Sequence, residues 1–372
     1  MYIEPFGVEI WMNEWETKCA HNLAETCVES LTIDELLRLS GQNAGDLSAL
    51  LPMKMTYGDI RGSERLLKAI SGLYERQSPQ NIIVTHGTIG ANMLVHRTLI
   101  ASGDRVVAVV PTYQQHYSIP ASIGAEVVPL RLRVEDGFLP DLDALRALVT
   151  PGTRLIAINN PNNPTGALMD RTMLEEIAAI AEDVGAYVLC DEVYRGTDQA
   201  GSGLTASIAD VYERGISTAG MSKAFSLAGL RLGWIAGPDH VIEAVSVHRD
   251  YDTISVGKLD DHFAALALEN CERILARSQL ITRENLTLLA DWVSAEPRIA
   301  WVKPRSGTVT LLSYDADMGS HDFCVRLMQE ESVLFTPGSA FDMEGYVRIG
   351  FANPKSDLEV GLEKVSAFLA RL

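Results

Sequence analysis

The sequence predicts an α/β protein, with a large domain built on a mostly parallel seven-stranded sheet and a smaller α+β domain beside it. From about residue 80 to residue 237, short β-branched runs alternate with stretches of helical period. That rhythm makes successive strands parallel and covers both sheet faces with helices. Beyond Gly237 the pattern changes to long helices and then to short strands. Glycine, proline, amide and charged residues cluster just after the predicted strands, the edge of an open parallel sheet where ligands collect.

The first 40 residues stand outside the βαβ rhythm, and residues 1–35 carry eight Asp or Glu against one Lys. They are expected to form an arm that packs on the small domain or on a neighbouring subunit. Seven runs then read as strands: Asn81–Thr85, Arg105–Val110, Glu126–Leu132, Arg154–Asn159, Ala186–Cys190, Gly215–Ala219 and Arg231–Ala236. Among the helices between them, Asp170–Val184 places Met173, Ile177, Ile180 and Ala181 on one face. Long helical patterns follow within His262–Ser294, then short strands around Thr308–Ser313, Val333–Phe335 and Tyr346–Phe351, and a last helix from Ser356. The expected division is an arm over 1–40, a large domain over 41–280 and a small domain over 281–372.

With 47% hydrophobic residues in 372, the chain has ample material for such cores. A net charge of −18 with no basic stripe argues against a nucleic-acid partner. Cys19, Cys27, Cys190, Cys271 and Cys324 form no CxxC pair and no metal-ligand spacing, so free thiols in a reducing cytoplasm are expected. No apolar run is long enough to span a bilayer and no signal peptide is evident, which again implies a cytoplasmic protein.

Five strand ends carry the chemistry. Thr85-His86-Gly87-Thr88-Ile89-Gly90-Ala91 opens a helix and offers free N–H groups to an anion. Tyr113 follows the second strand, where its ring could stack on a flat ligand. Asn159 to Gly166 is a stiff loop rich in amide donors. Asp191 ends an apolar strand, a costly place for a carboxylate unless a cation meets it. Lys223, after Gly220-Met221-Ser222, sits among small residues with few other charges. Partial desolvation there would keep some amine neutral and nucleophilic.

Taken together, Asn163-Pro164-Thr165-Gly166, Asp191-Glu192-Val193-Tyr194, Ser222-Lys223 and Arg231-Leu232-Gly233 resemble the fold-type-I pyridoxal 5′-phosphate (PLP) enzymes of the class I/II aminotransferase family, over roughly residues 50–352. The resemblance implies an aspartate-aminotransferase-like fold. It implies that Lys223 holds PLP as a Schiff base and shuttles protons at the substrate Cα, and that Asp191 pairs with the pyridine nitrogen. Asn163 and Tyr194 would bond the phenolic oxygen, and Tyr113 would stack on the ring. The phosphate would be held by the amides of Thr88 and Ile89, the Ser222 hydroxyl and the Arg231 guanidinium. Tyr57 would reach the phosphate of a second subunit in a homodimer. Arg348, with Asn163 nearby, would clamp the substrate α-carboxylate.

The sequence departs from the family at three places. The usual amino-terminal substrate segment is replaced by Asn22-Leu23-Ala24-Glu25-Thr26-Cys27-Val28-Glu29-Ser30. Gly220 stands where a phosphate-binding Ser is common, and Ile89 where a polar residue is common. The whole is also similar to the capreomycidine-synthase-like branch, whose members cyclise hydroxylated arginine by elimination. Glu9, Glu25 and Glu29 are therefore candidate partners for a cationic substrate side chain, against the alternative of solvated helix-face charges. Transamination leads as the expected reaction, and elimination or cyclisation is the alternative. A nicotinamide-binding dehydrogenase is disfavoured by the missing GxGxxG turn. An effector-sensing domain fused to a DNA-binding module is disfavoured because no basic segment precedes residue 50.

Overall fold

The computed structural model describes residues 2–372. Its large sheet has seven strands in the order Ile82–His86, Leu232–Ala236, Gly215–Gly220, Tyr187–Asp191, Thr153–Asn159, Arg105–Val110, Glu126–Arg131. Neighbours pair in parallel except around Leu232–Ala236, which runs antiparallel to both of its neighbours. The central strands are apolar on both faces because helices cover both: Leu155 to Ile158 and Val188 to Cys190 are fully buried. The helix Arg171–Glu182 starts where the Asp170 carboxylate accepts from the Met173 N–H. It buries Leu174, Ile177, Ile180 and Ala181, while Met173 is only half-buried.

The long helical stretch expected within residues 262–294 is two helices, Lys258–Glu269 and Cys271–Ala295, interrupted at Asn270. The second is 25 residues long, roughly 37 Å at 1.5 Å per residue. Ile274 and Leu275 near its start belong to the core under the large sheet, and Leu286 and Leu289 to a second core. The helix therefore runs unbroken through residue 280, the position expected to divide the two domains.

The second core packs under a four-stranded antiparallel sheet ordered Thr336–Pro337, Tyr346–Gly350, Val309–Tyr314, Ile299–Trp301. The amino-terminal arm joins this body. His21–Asn22 pairs in parallel with Val333–Leu334, Leu23 and Ala24 are fully buried in the core, and the Trp11 indole N–H donates to the Phe335 carbonyl at 2.8 Å. No helix among the described residues is long and apolar enough to cross a membrane.

Candidate active site

The parallel strands end along one edge of the large sheet. The antiparallel Leu232–Ala236 begins at that same edge, with Leu232 opposite His86. Reversing this one strand is what lets Arg231 join residues that follow strand ends. Across the edge lies a cavity of about 330 Å³. It is lined by Thr88, Ile89, Tyr113, Asn163, Asp191, Tyr194, Ser222, Lys223, Arg231 and Arg348, and by Glu9, Glu16, Glu25 and Thr26 from the arm.

At one end, the helix Gly87–Leu99 presents its unpaired first-turn N–H groups beside Ser222 and Arg231. The Thr88 hydroxyl is buried there without a partner. Gly220 was expected to cost the phosphate a donor, and the structure gives a reason for the glycine. A Cβ on it would come within 2.6 Å of Thr88 Oγ1, so a serine at 220 would displace the threonine.

At the back of the cavity Asp191 is 4% exposed. Its carboxylate accepts from Asn92 Nδ2 at 2.8 Å and from the Val193 N–H at 3.1 Å. His116 Nε2 lies 3.8 Å away, and burial holds the next histidine, His96, well below its ordinary pKa. Asn92 and His116 were not read from the sequence. Asn92 lies four residues after Thr88 and so on the same helix face, a periodicity that could have found it.

The amino-terminal segment closes the other side. The Tyr113 hydroxyl donates to Glu9 Oε1 at 3.0 Å, and Phe6 packs at 4.8 Å on the Tyr113 ring. Burial and Glu9 push the Tyr113 phenol far up, so it stays a donor. Glu25 accepts from the N–H groups of Thr26 and Cys27 at 2.7 and 2.8 Å. Burial opposes its charge, but Lys223 and these two amides outweigh burial and hold its pKa below the usual range. Glu16, absent from the sequence-derived candidates, is raised by partial burial and by the charges of Glu25 and Glu9. Glu29 is not in the cavity; its carboxylate turns outward to Arg277, 3.7 Å away.

One expectation needs correcting. Burial does press Lys223 toward neutrality, yet Cys27, Tyr194 and Glu25 around it outweigh burial and raise its pKa. Desolvation thus does not leave the amine partly neutral. Tyr57, expected to act on a second subunit, lies outside the cavity of its own chain, 78% exposed, in a separate hollow with Met55 and Val256.

Arg348 lines the same cavity as Lys223 and is 2% exposed. It donates to Asn163 Oδ1 at 3.1 Å, to Thr336 Oγ1 at 3.0 Å and to the Ala24 carbonyl at 3.2 Å, and its Nε is buried without a partner. Gly350, two residues on, is packed so tightly that a Cβ would fall 1.7 Å from the Glu25 carbonyl oxygen. Gly350→Ala is expected to cost about 1–3 kcal/mol or more by overpacking, and to dislodge Glu25 and Thr26. Thermal denaturation and substrate KM check this together.

The sequence matches the family described as aminotransferase class I and II over residues 48–365. The chain belongs to that family. It is 31% identical to capreomycidine synthase of Streptomyces vinaceus over 96% of this chain and 92% of that one. A PLP-dependent aminotransferase from Streptococcus suis superposes with a TM-score of 0.97 at 44% identity, covering 100% of this chain and 99% of that one. The PLP-dependent cyclase OrfR superposes with a TM-score of 0.91 at 27% identity, covering 100% and 98%. The protein is a PLP-dependent enzyme of the aminotransferase family acting in amino acid chemistry. The residues fit the cofactor: a helix N-terminus with an orphaned Thr88 hydroxyl for an anion, and the buried Asp191 carboxylate for a cationic ring nitrogen.

Proposed function

We propose that the enzyme transforms an L-α-amino acid with a cationic side chain, by transamination. The observation that carries the substrate reading is the pairing of a buried Arg348, with no carboxylate partner among the described residues, with Glu9, Glu16 and Glu25 in one cavity. A guanidinium suits an α-carboxylate because its planar fork binds both oxygens. Burial raises the Glu16 pKa, and repulsion by the charges of Glu25 and Glu9 adds to it. A guanidinium or ammonium group would relieve that repulsion.

Bound PLP supplies an electron-withdrawing ring that makes the substrate Cα–H acidic. Lys223 would anchor the cofactor and, once free, take the proton from the substrate Cα and deliver it to the cofactor's aldehyde-derived carbon. Asp191, braced by Asn92 and Val193, would hold a proton at the ring nitrogen. Asn163 and Tyr194 would bond the phenolic oxygen, and Tyr113 would face the ring. The amides of Thr88 and Ile89, Ser222 and Arg231 would take the phosphate. Tyr57, exposed here, would serve a second copy of the chain in a homodimer.

The second reading is elimination or cyclisation. Its support is the similarity to capreomycidine synthase over 96% of the chain, which includes the segment Asn22–Ser30 that departs from most of the family. Incubation with arginine, a hydroxyarginine, lysine and aspartate, with products identified by mass, separates the two. With pyruvate supplied as amino-group acceptor, a 2-oxo acid that keeps every side-chain substituent, formed together with alanine, establishes transamination, and a product that has lost water or cyclised establishes the second reading. Preference for aspartate would sink the cationic-substrate reading. Glu25→Gln is expected to lower kcat/KM for the cationic substrate about tenfold or more, as for a lost charge-assisted hydrogen bond. Steady-state kinetics should show a smaller change for a neutral amino acid.

A further inference from the structure

The catalytic amine has two neighbours that the family motifs do not supply. Lys223 Nζ donates to Thr26 Oγ1 at 2.6 Å and to Cys27 Sγ at 3.4 Å. Thr26 is held firmly in place. Its N–H donates to Glu25, and its carbonyl accepts from Thr308 Oγ1 at 2.6 Å. The next residue along, Cys27, is buried and also donates its N–H to Glu25. The hydroxyl at the amine thus sits on backbone tied to a carboxylate and to the residue that precedes the strand Val309–Tyr314.

A neutral lysine amine has two N–H bonds and one lone pair. With both N–H bonds directed at Thr26 and Cys27, the lone pair is left to face the cavity. We propose that Thr26 is a positioning residue that, with Cys27, aims the lone pair of the freed Lys223 amine at the substrate. This rests on Lys223 being the group that takes the Cα proton. When that proton arrives, an N–H bond forms toward the cavity while the two bonds to Thr26 and Cys27 persist. The Cα–H bond breaks as that N–H forms, and the N–H breaks in turn when the proton is passed on to the cofactor. The other titratable groups facing Lys223 are Cys27, Tyr194, Glu25 and, farther off, Glu16, and none of them changes in the test below.

Thr26→Val keeps the shape and removes the acceptor. In the loaded enzyme it is expected to lower kcat about 100-fold, the scale of a disturbed general base, with KM changed much less. In the full-length chain freed of cofactor, competitive labelling with acetic anhydride read by mass spectrometry gives the Lys223 pKa. Loss of one hydrogen bond to the ammonium should lower it by about one unit. Thr26→Ser should restore both values. If valine disrupts folding, Thr26→Ala removes the same acceptor without the branch. An unchanged Lys223 pKa in the variant lacking the hydroxyl, or failure of serine to restore it, overturns the proposal. If Lys223→Ala itself retains turnover, the reading of Lys223 fails, whereas the labelling result reports on Thr26 alone.

Discussion

Lys223→Ala is expected to abolish turnover and the visible absorbance that the wild-type chain shows when loaded with PLP. Lys223 is the lysine among the cavity-lining residues, and no other amine there could anchor the cofactor or carry the Cα proton. The loss should exceed the roughly 10²–10⁴-fold range of a missing general base, because the covalent anchor goes with it. Lys223→Arg should not rescue, since a guanidinium stays charged at any working pH. The pH profile adds a signed expectation. Cys27, Tyr194 and Glu25 hold the free amine charged, so the fraction able to accept a proton grows as pH rises toward the raised pKa. Where Cα proton removal limits the rate, kcat should climb into the alkaline range. Absorbance on reconstitution and turnover over pH check both, and a fully active Lys223→Ala would remove this residue from the mechanism.

Arg348→Ala should give the second largest effect. The guanidinium is desolvated, and its partners are the neutral groups Asn163, Thr336 and the Ala24 carbonyl. Burial has lowered its pKa, a cost that an α-carboxylate would offset. Truncating one member of a buried charge pair costs about 2–5 kcal/mol, so kcat/KM for an α-amino acid should fall roughly 30-fold to more than 10³-fold. Arg348→Lys should recover little, because a point charge cannot replace the fork. The discriminating control is the amine that lacks the α-carboxylate, whose slow turnover should be unaffected. Equal losses with both would assign Arg348 to holding the fold.

The alternation of apolar runs made the seven strands legible nearly to the residue, because a strand buried on both faces has no polar alternative. The residues after the strands were legible for a related reason: Asp191 and Lys223 are expensive where they stand. The direction of Leu232–Ala236 was not legible, since a buried strand reads alike either way. The arm was hardest to read. Its carboxylates look like any solvated helix face, and nothing in one sequence places Glu16 in the cavity while turning Glu29 toward Arg277. Thr26 and Cys27 carry no signature, because their role arises from contact with a residue 197 and 196 positions away.

The pairing of His21–Asn22 with Val333–Leu334, and of the Leu23 carbonyl with the Gly350 N–H at 2.7 Å, has a consequence for biosynthesis. During synthesis on the ribosome, the strand ends that would hold the phosphate and ring can form once residues 36–275, which supply the core under the large sheet, have emerged. The wall carrying Glu25 and Thr26 must wait for the strand that holds Arg348. A nascent chain would therefore complete its cofactor cradle well before its substrate wall, and loop closure over some 300 residues would be among the last events.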